Sequence, residues 1–273
     1  MGKNSIQKFS YLTILGGFSL SFFLSSCAIN PATGGANLVL MSENREKEIG
    51  LEEHEKVIVN QPLVEDGPLL DYVRKVGNKM AKVSHRPDLE YHFNIIDSPE
   101  INAFALPGGY VYVNRGLLAY INSEADLAAV LGHEIAHITA RHAVQQQARG
   151  ALARGAAVAG GIVAGVATGS GYAASQISEV ASIWAQTGLS GFGRENELEA
   201  DSLAAGYLVD AGYDPKAMIE VITVLKNQED FNRVATGGGS TYHGLFATHP
   251  RNDRRLQEAI EQVDQLNSNS FLT

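Results

Sequence analysis

His133-Glu134-Ile135-Ala136-His137 is the stretch around which the 273-residue chain is organised. On a helix, residues four apart differ by about 40° in rotation and one turn in height. The two imidazoles can therefore reach a single metal ion from one face. Glu134 sits about 100° further round, where its carboxylate can meet a water on the ion's open side without binding the ion itself. The flanks read as helix from Ser123 to Gln147. Ser123 with Asp126 suits a capping box, and Leu127, Val130 and Leu131 make an apolar stripe. Gly132 directly precedes the first histidine.

H-E-x-x-H at this spacing is the arrangement of zinc peptidases, with the glutamate as general base. Two histidines do not complete such a site, because a catalytic zinc takes three protein ligands and keeps one position for water. His/His/carboxylate favours zinc over other divalent ions. Glu197-Leu198-Glu199-Ala200-Asp201 offers two carboxylates four apart, Glu197 and Asp201, on one helical face. One can bind the metal, and the other can accept the N–H of a ligand imidazole and fix its orientation. Glu199 lies about 200° round from Glu197 and is set aside. His142 lies about 140° from His137 and cannot join the same ion on a straight helix. His54, His85, His92 and His243 have no partner at ligand spacing.

The first 26 residues stand apart from the core. Lys3 and Lys8 give a basic start, an apolar run extends from Tyr11 to Leu24, and Leu24-Ser25-Ser26-Cys27 closes it. Small residues before a cleavage point fit a secretory signal, and the run is short for a permanent span. The closing tetrapeptide resembles the bacterial lipobox, whose cysteine is lipid-modified and becomes the new N-terminus. Cys27 is the only cysteine, so no disulfide can form within the chain. Ala28 rather than aspartate after the cysteine points to the outer membrane, facing the periplasm. The net charge of −9 gives no footprint for nucleic acid and no basic patch for lipid headgroups, so membrane attachment would rest on the acyl chains of Cys27.

The remainder divides into a lipidated tether over 27–41, one domain over 42–266 and a polar tail over 267–273. Helices are expected from Ser42 to Asn60, from Val64 to Val83, from Glu195 to Val209 with a stop at Ala211-Gly212, and after Asp214-Pro215. Pro250 begins the last, to about Leu266. Between them lies a β region. Tyr91, Phe93 and Ile95 alternate with His92, Asn94 and Ile96, and Asn102 to Leu106 leads through Pro107-Gly108-Gly109 into a second strand, Tyr110-Val111-Tyr112-Val113-Asn114. Tyr110 to Asn114 is either an edge able to take an extended peptide by β-addition or part of a buried hairpin. Arg149 to Ser175 is rich in alanine and glycine, and 149–190 reads as a lid or packed insertion rather than a membrane contact. The fold class is α+β, mainly helical.

From about Asn30 to Leu256 the chain resembles metallopeptidase family forty-eight. The resemblance rests on Asn102-Ala103-Phe104-Ala105-Leu106-Pro107-Gly108-Gly109, Gly132 to His137, Glu197 to Asp201, and Thr248-His249-Pro250. It is most marked for the small periplasmic lipoprotein branch. It implies a compact gluzincin fold with a small sheet beside the active helix. It also implies zinc on His133, His137 and Glu197, Glu134 as the base, Asp201 supporting a ligand, and Tyr110 to Asn114 as the edge that receives substrate. By the same resemblance His249 is a candidate fourth ligand, restraining activity, or an oxyanion donor, and Arg255 lies near the cleft. The implied function is a zinc endopeptidase of the bacterial envelope. It would cleave unfolded or extended stretches of exported or outer-membrane proteins in quality control, with the outer-membrane assembly machinery as a partner. The alternative is a latent zinc-site lipoprotein acting as chaperone or assembly adaptor.

Overall fold

The computed structural model describes residues 27–32, 34, 36–38, 41–65, 67–151, 192–235, 249 and 253–270. The signal segment, the glycine-rich loop Thr236 to Ser240, His243 and all but the first three residues of the Ala/Gly-rich stretch lie outside them. The described residues form a mainly helical body around one small sheet. In chain order they give β1 (Cys27–Ile29), β2 (Ala36–Leu38), α1 (Glu43–Asn60), α2 (Gly67–Lys82), β3 (His92–Ile96), β4 (Ala103–Leu106), β5 (Tyr110–Asn114), the single turn α3 (Arg115–Leu118) and α4 (Glu124–Thr139). After α4 come helical residues 142–151, then α5 (Arg194–Asp210), α6 (Lys216–Ala235) and α7 (Asp253–Ser270). The last helix runs into what reads by sequence as polar tail. None of the described helices is long and apolar enough to cross a membrane.

α4 is the centre of the body, buried at every position from Asp126 to Thr139. A helix buried on all sides needs partners on all sides, and α2, α5, α6 and β4 supply them. Small residues set the spacing. A Cβ at Gly132 would come within 2.9 Å of Met80 Cε and 3.6 Å of Ala204 Cβ, so glycine lets α2 and α5 close over the metal motif. The start of α4 follows the capping expectation: the Asp126 N–H donates to Ser123 Oγ at 3.0 Å. The Asp126 carboxylate in turn accepts from the Asn122 N–H at 3.2 Å, one residue before the cap itself.

The helix does not continue to Gln147. It ends at Thr139, and Arg141 takes a left-handed φ of 58°. That conformation costs an arginine energy, and tertiary contacts hold it. Arg141 Nε donates to the buried Glu46 carboxylate at 2.9 Å, and its Nη2 donates to the Met41 carbonyl at 3.0 Å. Arg86 donates to the other Glu46 oxygen at 2.9 Å, so one acid from α1 binds two guanidiniums beneath the end of α4.

The sheet has the order β3-β5-β4, with β3 parallel and β4 antiparallel to β5. This corrects the reading of Tyr110, Val111, Tyr112, Val113 and Asn114 as an edge. Both sides of that strand are already paired, to His92–Ile96 and to Ala103–Leu106, so it has no free ladder for an incoming peptide. Among the described residues, the edges of the sheet are β3, whose outer side carries the isolated bridge from Leu63 to Ile96, and β4, the edge that flanks α4. Pro107-Gly108-Gly109 makes the β4–β5 turn, with Gly108 at φ 80° and Gly109 at φ 104°, values that glycine tolerates without a Cβ clash. The tether also carries structure that its sequence did not announce: β1 and β2 pair as an antiparallel hairpin.

Candidate metal centre

Three elements deliver the centre. α4 places His133 and His137 one turn apart, α5 brings Glu197 opposite them, and His249 arrives from the segment before α7. Their ligand atoms all lie within 4.8 Å of one another, and all four side chains are buried. His133 Nε2 lies 3.0 Å from His137 Nε2, 3.5 Å from Glu197 Oε2 and 3.2 Å from His249 Nδ1. His137 Nε2 lies 3.5 Å from Glu197 Oε1, and His249 Nδ1 lies 3.1 Å from the same oxygen. Ligands about 2.0–2.1 Å from a tetrahedral ion are separated by about 3.3 Å, so this donor set fits the size and chemistry of such a site. Three imidazole nitrogens and a carboxylate pointed at one spot, with no aliphatic filling between them, are what a cation rather than a packed core requires.

Glu134 sits beside the donor set and outside it. Its Oε1 lies 3.3 Å from His249 Nε2, and its buried Oε2 has no hydrogen-bond partner. Burial pushes its carboxyl up from the usual range, which suits a group that must accept a proton. Glu197 behaves oppositely. Burial works against its charge, but His249, His133 and His137 outweigh burial and hold it well below the usual range.

Asp201, one turn beyond Glu197, lies 2.9 Å from His133 Nδ1 through Oδ1. Arg255 closes this arm from α7. Its Nε and Nη2 donate to the two Asp201 oxygens at 2.7 and 2.8 Å, and its Nη1 pairs with Glu197 at 2.9 Å. Burial would raise Asp201, yet Arg255 and His133 keep it below its ordinary value. The centre thus brings together His133, Glu134, His137, Glu197, Asp201, His249 and Arg255. Tyr110 to Asn114 stays in the sheet, and Cys27 begins β1.

Sequence reasoning missed two contributors. Phe192, just ahead of α5, stacks on the His137 ring at 4.1 Å between centroids. A lone Phe between glycines carries no pattern that would reveal this. His142 stands behind His137, with 2.8 Å between the two Nδ1 atoms. As expected it does not belong to the donor set, but straight-helix geometry missed its role because the chain turns at Arg141. The remaining described histidines lie elsewhere: His54 Nδ1 is 2.5 Å from the Tyr112 hydroxyl, His85 Nδ1 is 2.7 Å from that of Tyr207, and His92 stacks on Tyr110.

The sequence is similar to the beta-barrel assembly-enhancing protease of Yersinia pestis, 31% identical over 215 residues, which cover 75% of this chain and 41% of that protein. A putative beta-barrel assembly-enhancing protease of Vibrio cholerae is 33% identical over 210 residues, covering 76% and 41%. The mitochondrial metalloendopeptidase OMA1 of Schizosaccharomyces pombe is 29% identical over 198 residues, covering 72% and 54%. The chain therefore spans about two fifths of the length of these bacterial relatives. Residues 70–263 match Peptidase family M48, a span that takes in the sheet, both halves of the donor set and most of α7. On that match and that geometry, the chain belongs to Peptidase family M48.

Proposed function

We propose that the protein is a zinc endopeptidase of the bacterial envelope, with zinc on His133, His137 and Glu197 and with Glu134 as general base. The observation that carries this is the convergence of two helix-borne imidazoles and a carboxylate from a second helix, with an unpartnered buried carboxylate oxygen alongside. A bound zinc ion supplies Lewis acidity, polarising the scissile carbonyl and acidifying a water. Glu134 takes the proton of the attacking water and passes it to the leaving amine, as its raised pKa favours. Asp201 and Arg255 hold His133 in register for that step.

β4 is the proposed substrate strand. It flanks α4, and a small pocket lined by Ala105, Leu106, Pro107, His137 and Phe192 lies at its C-terminal end. An extended segment added along β4 would place its carbonyls over the centre, which favours unfolded or partly folded substrates. The names of the bacterial relatives, beta-barrel assembly-enhancing proteases, support a role beside β-barrel assembly. The proposed substrates are outer-membrane β-barrel precursors, and the proposed purpose is quality control. Lipid modification at Cys27 would hold the domain on the periplasmic side of the outer membrane.

A second reading, a latent centre in an assembly adaptor, rests on His249. Its Nδ1 makes a fourth member of the donor set, and its Nε2 faces Glu134. The two readings separate in one experiment, zinc analysis and casein digestion by wild type, Glu134→Gln and His249→Ala. The peptidase reading expects one zinc per chain throughout, cleavage by wild type, and at least a hundredfold loss in Glu134→Gln. Cleavage only after His249→Ala would favour the latent centre. Undiminished cleavage by Glu134→Gln would overturn the mechanism.

A further inference from the structure

The ring of His137 is supported by a chain of polar contacts that leads out of the centre and ends next to Cys27. His137 Nδ1 lies 2.8 Å from His142 Nδ1, and His142 is fully buried. His142 Nε2 lies 3.3 Å from Glu199 Oε2. Asn30 Nδ2 donates to the other Glu199 oxygen at 2.9 Å, and Asn30, directly after β1, is itself buried.

These contacts admit one arrangement of protons once His137 offers Nε2 to a metal. Its Nδ1 must then carry the hydrogen and donate it, so His142 Nδ1 is the acceptor. His142 is left with its hydrogen on Nε2, which donates to Glu199. A Glu199 carboxylate can accept that hydrogen and the Asn30 amide at once, one on each oxygen. His137 Nδ1, both nitrogens of His142 and both Glu199 oxygens are satisfied in this arrangement and in no other.

We propose that His142 and Glu199 are positioning residues that fix the tautomer and orientation of His137, and that Asn30 extends this support to the hairpin following Cys27. The inference rests on the reading of His137 as a metal ligand. It makes the segment next to Cys27 part of the metal site's framework rather than a passive tether. Partners of this kind typically change metal affinity by about 10- to 100-fold when removed.

The test is zinc affinity by chelator competition, with the absorption spectrum of the cobalt-substituted protein, on wild type, His142→Leu, His142→Gln, Glu199→Ala and Asn30→Ala. Glu199→Ala and Asn30→Ala keep the measurement informative if the fully buried His142→Leu fails to fold. Affinity should fall about 10- to 100-fold in His142→Leu, with a shifted cobalt spectrum, less in Glu199→Ala and by a few-fold in Asn30→Ala. His142→Gln, whose amide oxygen can accept from His137, should recover part of the loss, which a purely space-filling role would not produce. Wild-type affinity and spectrum in both His142→Leu and Glu199→Ala would overturn the proposal while leaving the metal site intact. Wild-type affinity in Asn30→Ala alone would overturn the part assigned to the hairpin. Absence of zinc from wild type would instead overturn the ligand assignment beneath it.

Discussion

The two histidines of the metal helix are one turn apart and yet are supported in unlike ways. Behind His133 stands a carboxylate, Asp201, clamped by both arms of Arg255. Behind His137 stands a second imidazole, His142, backed by Glu199 and the Asn30 amide. α5 supplies the acid of each arm and the ligand Glu197 as well, so Glu197, Glu199 and Asp201 divide three tasks along about one turn of one helix. The difference shows in the rings' protonation. Burial opposes charge on both, but at His133 Asp201 and Glu197 outweigh it and push the ring up to about 9. At His137, with His133, His142 and His249 as neighbours, burial prevails and the ring is held well below its ordinary value. The first arm closes a carboxylate directly with a guanidinium; the second reaches its carboxylate through an intervening imidazole.

If that contrast is right, the first arm is the more costly one to break. Arg255→Leu would leave Asp201 and Glu197 buried with their guanidinium gone, a situation worth about 3–5 kcal/mol of stability. Urea denaturation should show that loss, and Arg255→Lys should recover only part, since an ammonium cannot reproduce the two-pronged bond. A change below about 1 kcal/mol in Arg255→Leu would mean the arm is not the charged keystone its geometry suggests. Asp201→Asn is milder, because shape and one acceptor oxygen survive. It should keep the fold and weaken zinc binding by about 10- to 100-fold in a chelator competition.

Both halves of the centre were legible in the sequence because each is a local pattern. His133 and His137 share a helix, Glu197 and Asp201 share another, and helical periodicity fixes what they face. The helix start at Ser42, the cap at Ser123 and the stop at Gly212 are local too, and they stand where expected. What did not show depends on pairing over distance. Ala103 to Leu106 has no alternating pattern and becomes a strand only by pairing with β5, which in turn makes Tyr110 to Asn114 central. His142 enters the site through the left-handed turn at Arg141, which in this chain is held by Glu46, 95 residues upstream. The membership of His249 and Arg255 came from resemblance, and their distances to Glu197 show what spacing alone left open.

Acid should separate the arms by degree. Asp201 is held below its ordinary value chiefly by Arg255 against the pull of burial, and Glu199 chiefly by the hydrogen bond from His142. A carboxyl depressed in the folded state adds stability that is fully present above its unfolded pKa and is lost as pH falls through the folded one. The zinc-stripped protein should therefore lose stability as pH drops below about 4. Asp201→Asn should flatten that fall more than Glu199→Gln, because the Glu199 side chain is 28% exposed against 5% for Asp201. Urea midpoints between pH 6 and 3 would measure it, and equal flattening would erase the distinction between a sealed arm and a partly wetted one.

The smallest effect belongs to the turn on which the second arm stands. Arg141 is held at φ 58° by Glu46, and the turn is what swings His142 behind His137. Arg141→Gly would forfeit the buried hydrogen bond to Glu46, worth about 1.5–3 kcal/mol, and the part-buried one to the Met41 carbonyl, which water can replace. It would also release an arginine from a conformation that costs it about 1–2 kcal/mol and that glycine adopts freely. Arg86 still neutralises Glu46, so no charge is stranded. The terms nearly offset, leaving a net loss of about 1 kcal/mol in urea denaturation, with zinc affinity close to wild type because the turn persists. A loss of zinc affinity in Arg141→Gly without a matching loss of stability would mean that the ion pair, and not the backbone turn, aims His142 at His137.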